Sequence, residues 1–333
     1  MIRFIVCFIT AFFLALAAGK ALIPLLKRLG FGQKILSYVS EHEKKSGTPT
    51  MGGVIFIIPS VAAYFITYGF ESSFGNFACV IFLIFALIGF FDDLIKIVYA
   101  RNEGLRPWQK MTFLFGAALV ATVFLYLRGA VVSFLPFSGK MLNAGVAFIP
   151  LSVFVFLAAS NCVNLTDGLD GLAASVSATF FFFNALLILT EIAIYKSEYV
   201  GGKEMASVAA LSFCVTAALL AFLVYNTEKA SVFMGDTGSL ALGGLAAFTM
   251  TCSGNILYIP ILGVTFVASG VSVVLQVAHF KRTRKRIFLM APLHHHFQHK
   301  GHSEAKIVFC YVSVTIISGL LCLAAYVGGI NVL

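Results

Sequence analysis

Ten stretches of the chain are almost wholly apolar, and short polar gaps separate them. A helix needs about 20 apolar residues to cross the hydrocarbon of a bilayer. The stretches read as spans near Phe4 to Ile23, Val54 to Phe70, Phe77 to Phe91, Met111 to Leu127, Val146 to Ser160, Leu172 to Thr190, Ala206 to Tyr225, Leu240 to Cys252, Ile256 to Phe280 and Ile307 to Gly328. The third and eighth are short, so their helices are expected to run on into the flanking polar segments. Together the ten leave no room for a soluble domain. The expected architecture is all-α: a polytopic membrane protein of ten helices, with residues 1–333 forming one domain.

Charge orients these spans. Of the 23 Lys and Arg residues, only Arg3, Arg128, Lys140, Lys196 and Lys203 fall in gaps on one side, leaving 18 on the other. By the positive-inside rule the richer side is cytoplasmic, which places both termini outside. Arg3 before an apolar run imitates a secretory signal. Cleavage there would carry Lys27 to Lys45 outward against the charge bias, so the first segment reads as a retained span. The seven cysteines lie in or beside apolar segments with no Cys-x-x-Cys pair, and read as small buried hydrophobes. The net charge of +9 suits anionic membrane lipids and asks for no nucleic acid.

Five polar segments on the cytoplasmic side carry the candidate chemistry. Lys44-Lys45 precede a turn, Ser46 to Gly53, whose free N–H groups and lysines suit a phosphate. A helix-start loop with lysines reaching for the interface accounts for it equally well. Asp92-Asp93 close the third span. If that helix continues, Asp92 meets Lys96 at i, i+4 and Asp93 meets it at i, i+3. Adjacent carboxylates repel, and acids near a helix C-terminus oppose its dipole. Local stability therefore does not explain the pair, whereas a divalent cation would relieve it.

Asn161, Asn164, Asp167 and Asp170 recur every third residue and would form one polar stripe on a helix, in a loop with no basic residue to pair its acids. Unpartnered acids at a membrane edge point to function. Asn226 and the run Phe233 to Ser239 open the eighth span, where unpaired N–H groups suit an anion and Asp236 can hold Mg2+. Ser239 and Gly243 there also read as a helix-packing pair. Last come His294, His295 and His296 in the most basic loop. Neighbours on a helix differ by about 100°, so the three cannot all face one point. With no cysteine nearby, they suit phosphate oxygens better than zinc.

Acids able to hold Mg2+, lysines and glycine turns at a membrane face describe phosphoryl-group transfer, in which positioning and charge neutralisation do most of the catalysis. One substrate is then a lipid and the other a soluble anion. In order along the chain stand Lys-x-Gly-Thr-Pro-Thr-Met-Gly-Gly, Asp-Asp-x-x-Lys, Asn-x-Thr-Asp-Gly-x-Asp-Gly-Leu, Met-Gly-Asp-Thr-Gly-Ser and Pro-Leu-His-His-His-Phe. This ordered set, from about Lys45 to Glu304, resembles the bacterial phospho-N-acetylmuramoyl-pentapeptide transferases.

The resemblance implies a bacterial inner-membrane enzyme with its active site facing the cytoplasm. It would transfer phospho-N-acetylmuramoyl-pentapeptide from UDP-N-acetylmuramoyl-pentapeptide to undecaprenyl phosphate with Mg2+, releasing UMP. By motif position it makes Asp92, Asp93 and Asp236 the essential acids and metal ligands, with Asp236 the principal one. Asn164, Asp167 and Asp170 fall in the nucleotide pocket, where Phe233 stacks on uracil, and Asn161 is a further substrate-binding residue. Lys45, Lys96, Lys110, Asn226 and the catalytic histidines His294, His295 and His296 surround the phosphates and sugar, with Gln276 nearby. It also implies a homodimer. One departure is Gln298, where the family usually has Glu. Direct attack by the lipid phosphate and a covalent Asp236 intermediate both remain open.

Three rivals can be weighed from sequence. A prenyltransferase would carry a second aspartate where Lys96 stands, and a transporter would place its ionisable groups near mid-span. A relative that transfers N-acetylglucosamine-1-phosphate to the same lipid interrupts the histidine run, which here is unbroken.

Overall fold

A computed structural model describes residues 2–30, 47–99, 103–138, 140–195 and 201–328. Twelve α-helices occur among them. They are α1 (Ile2–Arg28), α2 (Val54–Tyr68), α3 (Ser73–Val98), α4 (Pro107–Leu127), α5 (Phe148–Thr166), α6 (Leu172–Tyr195), α7 (Gly202–Asn226), α8 (Gly235–Cys252), α9 (Ile259–Leu262), α10 (Val264–Thr283), α11 (Leu293–His299) and α12 (Glu304–Gly328). Eight segments are long and apolar enough to cross a membrane, and α2 is a shorter apolar helix of 15 residues. The all-α reading holds for the bundle. An antiparallel hairpin between α4 and α5 was not expected; it pairs β1 (Val132–Phe134) with β2 (Met141–Asn143) in the register Val132 to Asn143.

Both short spans run into the polar segments, as expected. The third becomes a helix of 26 residues that includes Asp92, Asp93 and Lys96. The eighth starts at Gly235. The ninth does not form one helix: α9 ends at Leu262 and α10 restarts at Val264, with Gly263 as the cap between them. Pro260 stands in the first turn of α9, where proline is favoured.

The centre of the bundle is α8, buried on all faces from Thr237 to Cys252. It packs chiefly against α3 and α5, while α7 packs against α6, α1 and α2. Two glycines set the approach to α8. A Cβ on Gly89 of α3 would run into the Asp236 carbonyl, and one on Gly243 would run into the backbone of Ser160 on α5. Small residues at such crossings let helix backbones touch. The same contacts bring the polar ends of α3, α5 and α8 together. A carboxylate from a neighbouring helix also secures α3: Glu204 of α7 accepts from the backbone N–H of Phe74 at 2.9 Å and from the hydroxyl of Ser72 at 2.6 Å.

Candidate active site

The C-terminal part of α3 meets the N-terminus of α8 and the start of α4, and this junction gathers three carboxylates and two lysines. Carboxylate oxygens of Asp92, Asp93 and Asp236 lie within 4.8 Å of one another. Lys96 does reach Asp92 at i, i+4: its Nζ is 2.6 Å from Asp92 Oδ2, 3.7 Å from Asp93 Oδ1 and 2.9 Å from Asp236 Oδ2. Lys110 Nζ, from the first turns of α4, is 2.8 Å from the same Asp236 oxygen. Three negative charges thus face two positive ones.

Each acid is held differently. Asp93 is committed to the start of α8, accepting from the N–H of Asp236 at 3.1 Å, the N–H of Thr237 at 2.9 Å and the Thr237 hydroxyl at 2.7 Å. It serves that helix as a cap donated by another helix, satisfying N–H groups that would otherwise be orphaned. Gly235 is required beside it. Its φ is 72°, and a Cβ would stand 2.5 Å from Asp93 Oδ2. Asp92 accepts from the N–H of Leu105 at 2.9 Å, in the loop that leads to α4. Asp236 Oδ1 accepts from the Asn164 amide at 2.7 Å, and Asn164 also donates to Ser239 Oγ at 2.8 Å.

Whether this set suits Mg2+ can be judged from its donors. They are hard carboxylate oxygens, as Mg2+ requires, and Mg–O bonds of about 2.1 Å put opposite ligands about 4.2 Å apart. A spread of 4.8 Å needs only a small contraction. Because both Asp93 oxygens already serve α8, Asp92 and Asp236 are the acids best able to hold an ion.

The stripe from Asn161 to Asp170 is not continuous, because α5 ends at Thr166 and Asp167 caps it. Asn161 donates back to Leu157 O at 2.8 Å and lies against Met111 Sδ. Asp167 follows the last helical residue, and burial first, then the charges of Asp236, Asp93 and Asp170, push its carboxyl up to about 8. Asp170 accepts from the N–H of Ala230 at 3.1 Å. Asn226 accepts from the N–H of Gly171 at 3.2 Å and donates to Val232 O at 2.9 Å. These last two residues therefore staple the α5–α6 turn to the α7–α8 loop.

The Thr-Pro-Thr-Met-Gly-Gly turn leads into α2, as the helix-start reading has it. Its glycine N–H groups do not face an anion: Gly52 donates to Phe233 O and Gly53 to Met234 O, each at 2.9 Å, while Phe233 donates to Pro49 O at 2.8 Å. A Cβ on Gly53 would stand 2.5 Å from Gly238 Cα. The segment braces the start of α8, and Phe233 is partly buried where the two strands of chain pair. Lys45 lies outside the described residues.

The histidines divide as helical geometry demands. His294 is fully buried, its ring nitrogens without partners, and it packs so closely on Gly168 that a Cβ there would collide with Nε2. Burial pushes its pKa down to about 3, so the ring is neutral. His295 Nε2 would be 3.1 Å from the same Cβ, and its Nδ1 is 3.0 Å from Gln298 Oε1. His296 turns away, accepting from the N–H of Leu289 at 3.1 Å. Gln276 secures the loop between α10 and α11, accepting from the N–H groups of Ile287 and Phe288, both at 3.0 Å.

Sequence reasoning did not single out Thr237, Gly168 or Leu105. The Thr237 hydroxyl in the first turn of α8 was a usable signal, but its partner lies 144 positions away. A backbone N–H such as that of Leu105 leaves no residue-type signal.

The profile of Glycosyl transferase family 4 matches residues 76–254, and phospho-N-acetylmuramoyl-pentapeptide-transferase signature 1 matches residues 45–57. The chain is 43% identical over 323 residues to the phospho-N-acetylmuramoyl-pentapeptide-transferase of Clostridium novyi, covering 96% of this chain and 94% of the relative. It is 40% identical over 318 residues to the protein of that name in Clostridium perfringens, covering 95% and 94%. The same identity extends over 327 residues to that of Heliobacterium modesticaldum, covering 96% and 97%. Full-length likeness and a profile that spans all three carboxylates agree: the chain belongs to the phospho-N-acetylmuramoyl-pentapeptide-transferase family, within Glycosyl transferase family 4.

Proposed function

We propose that this protein transfers phospho-N-acetylmuramoyl-pentapeptide from its UDP carrier to undecaprenyl phosphate, releasing UMP. The observation that carries the reading is Asp92, Asp93 and Asp236 converging with Lys96 and Lys110 at one end of an apolar bundle. The charge bias supports placing that end at the cytoplasmic face of a bacterial inner membrane, with ten crossings and both termini outside. A homodimer is proposed on family likeness alone.

Asp236 and Asp92 would hold Mg2+, which would supply positive charge to the departing UMP phosphate as the bridging P–O bond of the pyrophosphate breaks and the lipid phosphate oxygen bonds to the sugar-bearing phosphorus. Lys96 and Lys110, both on Asp236 Oδ2, would contribute positive charge to the same phosphates. Asn164 and Asp93 fix the Asp236 carboxylate and the helix that carries it. His294 and His295 pack against Gly168, which supports assigning this part of the site, with Asp167 beside it, to the nucleotide and sugar.

Direct attack by the lipid phosphate fits this geometry better than a covalent intermediate. Asp236 Oδ2 is neutralised by two ammonium groups and Oδ1 accepts from Asn164, which leaves it a poor nucleophile. A phosphate monoester has its second pKa near 6, so about nine-tenths of the acceptor is already fully ionised at pH 7 and a general base has little left to remove. Asp92, held by Leu105 and Lys96, then orients the attacking phosphate.

The test is solubilised protein with undecaprenyl phosphate, Mg2+ and either UDP-N-acetylmuramoyl-pentapeptide or UDP-N-acetylglucosamine, scored by UMP release. UMP should appear with the muramoyl substrate alone. Release only with UDP-N-acetylglucosamine would overturn the assignment, and a trapped phosphorylated Asp236 would overturn direct attack.

A further inference from the structure

Gln298 of α11 touches one of the histidines, and the proposed transfer reaction gives it no task. It follows His295 at i, i+3, so the two side chains share a helix face. His295 Nδ1 is 3.0 Å from Gln298 Oε1, and Gln298 Nε2 donates to Glu304 Oε1 at 3.5 Å. A short relay thus runs from the first turn of α12 to the His295 ring.

The relay fixes where that ring carries its proton. A carboxylate only accepts hydrogen bonds, whereas a primary amide donates at one end and accepts at the other. Glu304 therefore takes the NH2 end of Gln298, and the carbonyl end falls to His295. A carbonyl cannot donate, so Nδ1 carries the hydrogen, and in the neutral ring Nε2 then keeps its lone pair. A glutamate in place of Gln298 would add a charge that favours the doubly protonated ring, which has no acceptor. The amide orients the imidazole without that pull.

Nε2 faces the α5–α6 turn, where it would stand 3.1 Å from a Cβ on Gly168. The His294 ring, 4.3 Å away between centroids, packs on the same glycine. Asp167, the residue before it, feels the charges of Asp236 and Asp93, so this turn borders the carboxylates and the phosphates they would serve. A lone pair here repels phosphate oxygens and suits an O–H or N–H donor. In the proposed substrate the group joined to the phosphates, on the side away from the nucleoside, is an N-acetylated sugar with hydroxyls and an amide N–H.

We propose that Gln298 is a positioning residue: with Glu304 it holds His295 as the neutral Nδ1–H tautomer, whose Nε2 accepts a hydrogen bond from a hydroxyl or the acetamido N–H of the sugar instead of donating to a phosphate. The sugar contact rests on the proposed transfer reaction. The tautomer does not.

Nitrogen-15 NMR of the solubilised full-length protein, labelled in its histidine rings and assigned with His295→Asn, tests the tautomer above the ordinary imidazole range. Wild type and Gln298→Glu should show His295 with its proton on Nδ1, and Gln298→Leu should shift it toward Nε2–H. A wild-type ring protonated on Nε2 would overturn the proposal without any variant of Gln298. In UMP-release kinetics at the same pH, Gln298→Leu should raise KM for UDP-N-acetylmuramoyl-pentapeptide about fivefold, one hydrogen bond's worth. Its kcat and its inhibition constant for UMP should stay at wild-type values, and Gln298→Glu should restore KM. An unchanged KM in a folded Gln298→Leu protein, a loss confined to kcat, or a UMP inhibition constant rising in step with KM would each overturn the sugar contact. Wild-type protein that releases no UMP overturns the transfer reading and the sugar contact together, while the spectrum still decides the tautomer.

Discussion

Asp93→Asn separates an anchor from a metal ligand. In the wild-type structure the carboxylate accepts three hydrogen bonds from the start of α8, at 3.1, 2.9 and 2.7 Å, and is 2% exposed. Asparagine keeps one acceptor oxygen. Turned toward Thr237 it can retain two of the bonds, but its NH2 then faces the Asp236 N–H, donor against donor. Losing one charge-assisted bond and weakening two others costs about 2 to 4 kcal/mol, taking about 1.5 to 3 for each bond to a charged group. The unfolding midpoint should fall by about 4 to 10 °C. Thr237→Val, which removes only the 2.7 Å bond, should cost about 1 to 3 kcal/mol by the same reasoning. The double variant should lose less than the sum, because both act on one network. Thermal unfolding in detergent gives the midpoints, and Mn2+ binding followed by electron paramagnetic resonance gives metal affinity. An Asp93→Asn protein with a wild-type midpoint and no Mn2+ affinity would refute the anchoring argument and make Asp93 a ligand.

Other consequences follow from the same contacts. Asp167, with its carboxyl pushed up to about 8, holds a proton in the folded protein that the unfolded chain releases near pH 4. Its contribution to stability is therefore present at low pH and is lost as pH rises from about 4 to 8. The wild-type midpoint should decline over that window relative to Asp167→Asn, and parallel profiles would count against it. Lys110→Met removes one of two ammonium groups from Asp236 Oδ2, so Mn2+ binding without nucleotide should strengthen about tenfold or more, the equivalent of one 1.4 kcal/mol step, while UMP release falls; unchanged affinity would show that the lysine does not compete. Gly168→Ala drives a Cβ into His294. It should raise KM for the UDP substrate and destabilise the protein by about 1 to 3 kcal/mol, as overpacking does; wild-type KM and midpoint would mean that the histidine loop yields freely.

Much of the site was legible because its chemistry is local in type. Acids, lysines and histidines in an apolar chain cannot hide, and the Asp92 to Lys96 spacing forecasts a salt bridge that the continuous α3 makes. What stayed hidden depends on partners far apart in sequence. Nothing near Asp93 in sequence announces the hydrogen bonds it makes to the α8 backbone. Asp170, placed by resemblance in the nucleotide pocket, and Asn226, placed around the phosphates and sugar, also spend hydrogen-bonding groups on backbone 60 and 55 positions away. The glycines before α2 suited an anion until Phe233 and Met234 took their N–H groups. The long apolar helices followed from hydropathy, but the interruption at Gly263 did not, since apolar residues continue on both sides of it.

The central claim is that Asp236 and its neighbours form a metal-assisted phosphoryl-transfer site. Its most direct test is UMP formation from UDP-N-acetylmuramoyl-pentapeptide and undecaprenyl phosphate, comparing wild-type protein with a folded Asp236→Asn variant, each with Mg2+ and with EDTA. The account predicts that chelation silences the wild-type protein and that Asp236→Asn loses about a thousandfold or more, the equivalent of roughly 4 kcal/mol of transition-state stabilisation. A variant within tenfold of wild type, or turnover that persists in EDTA, would contradict it.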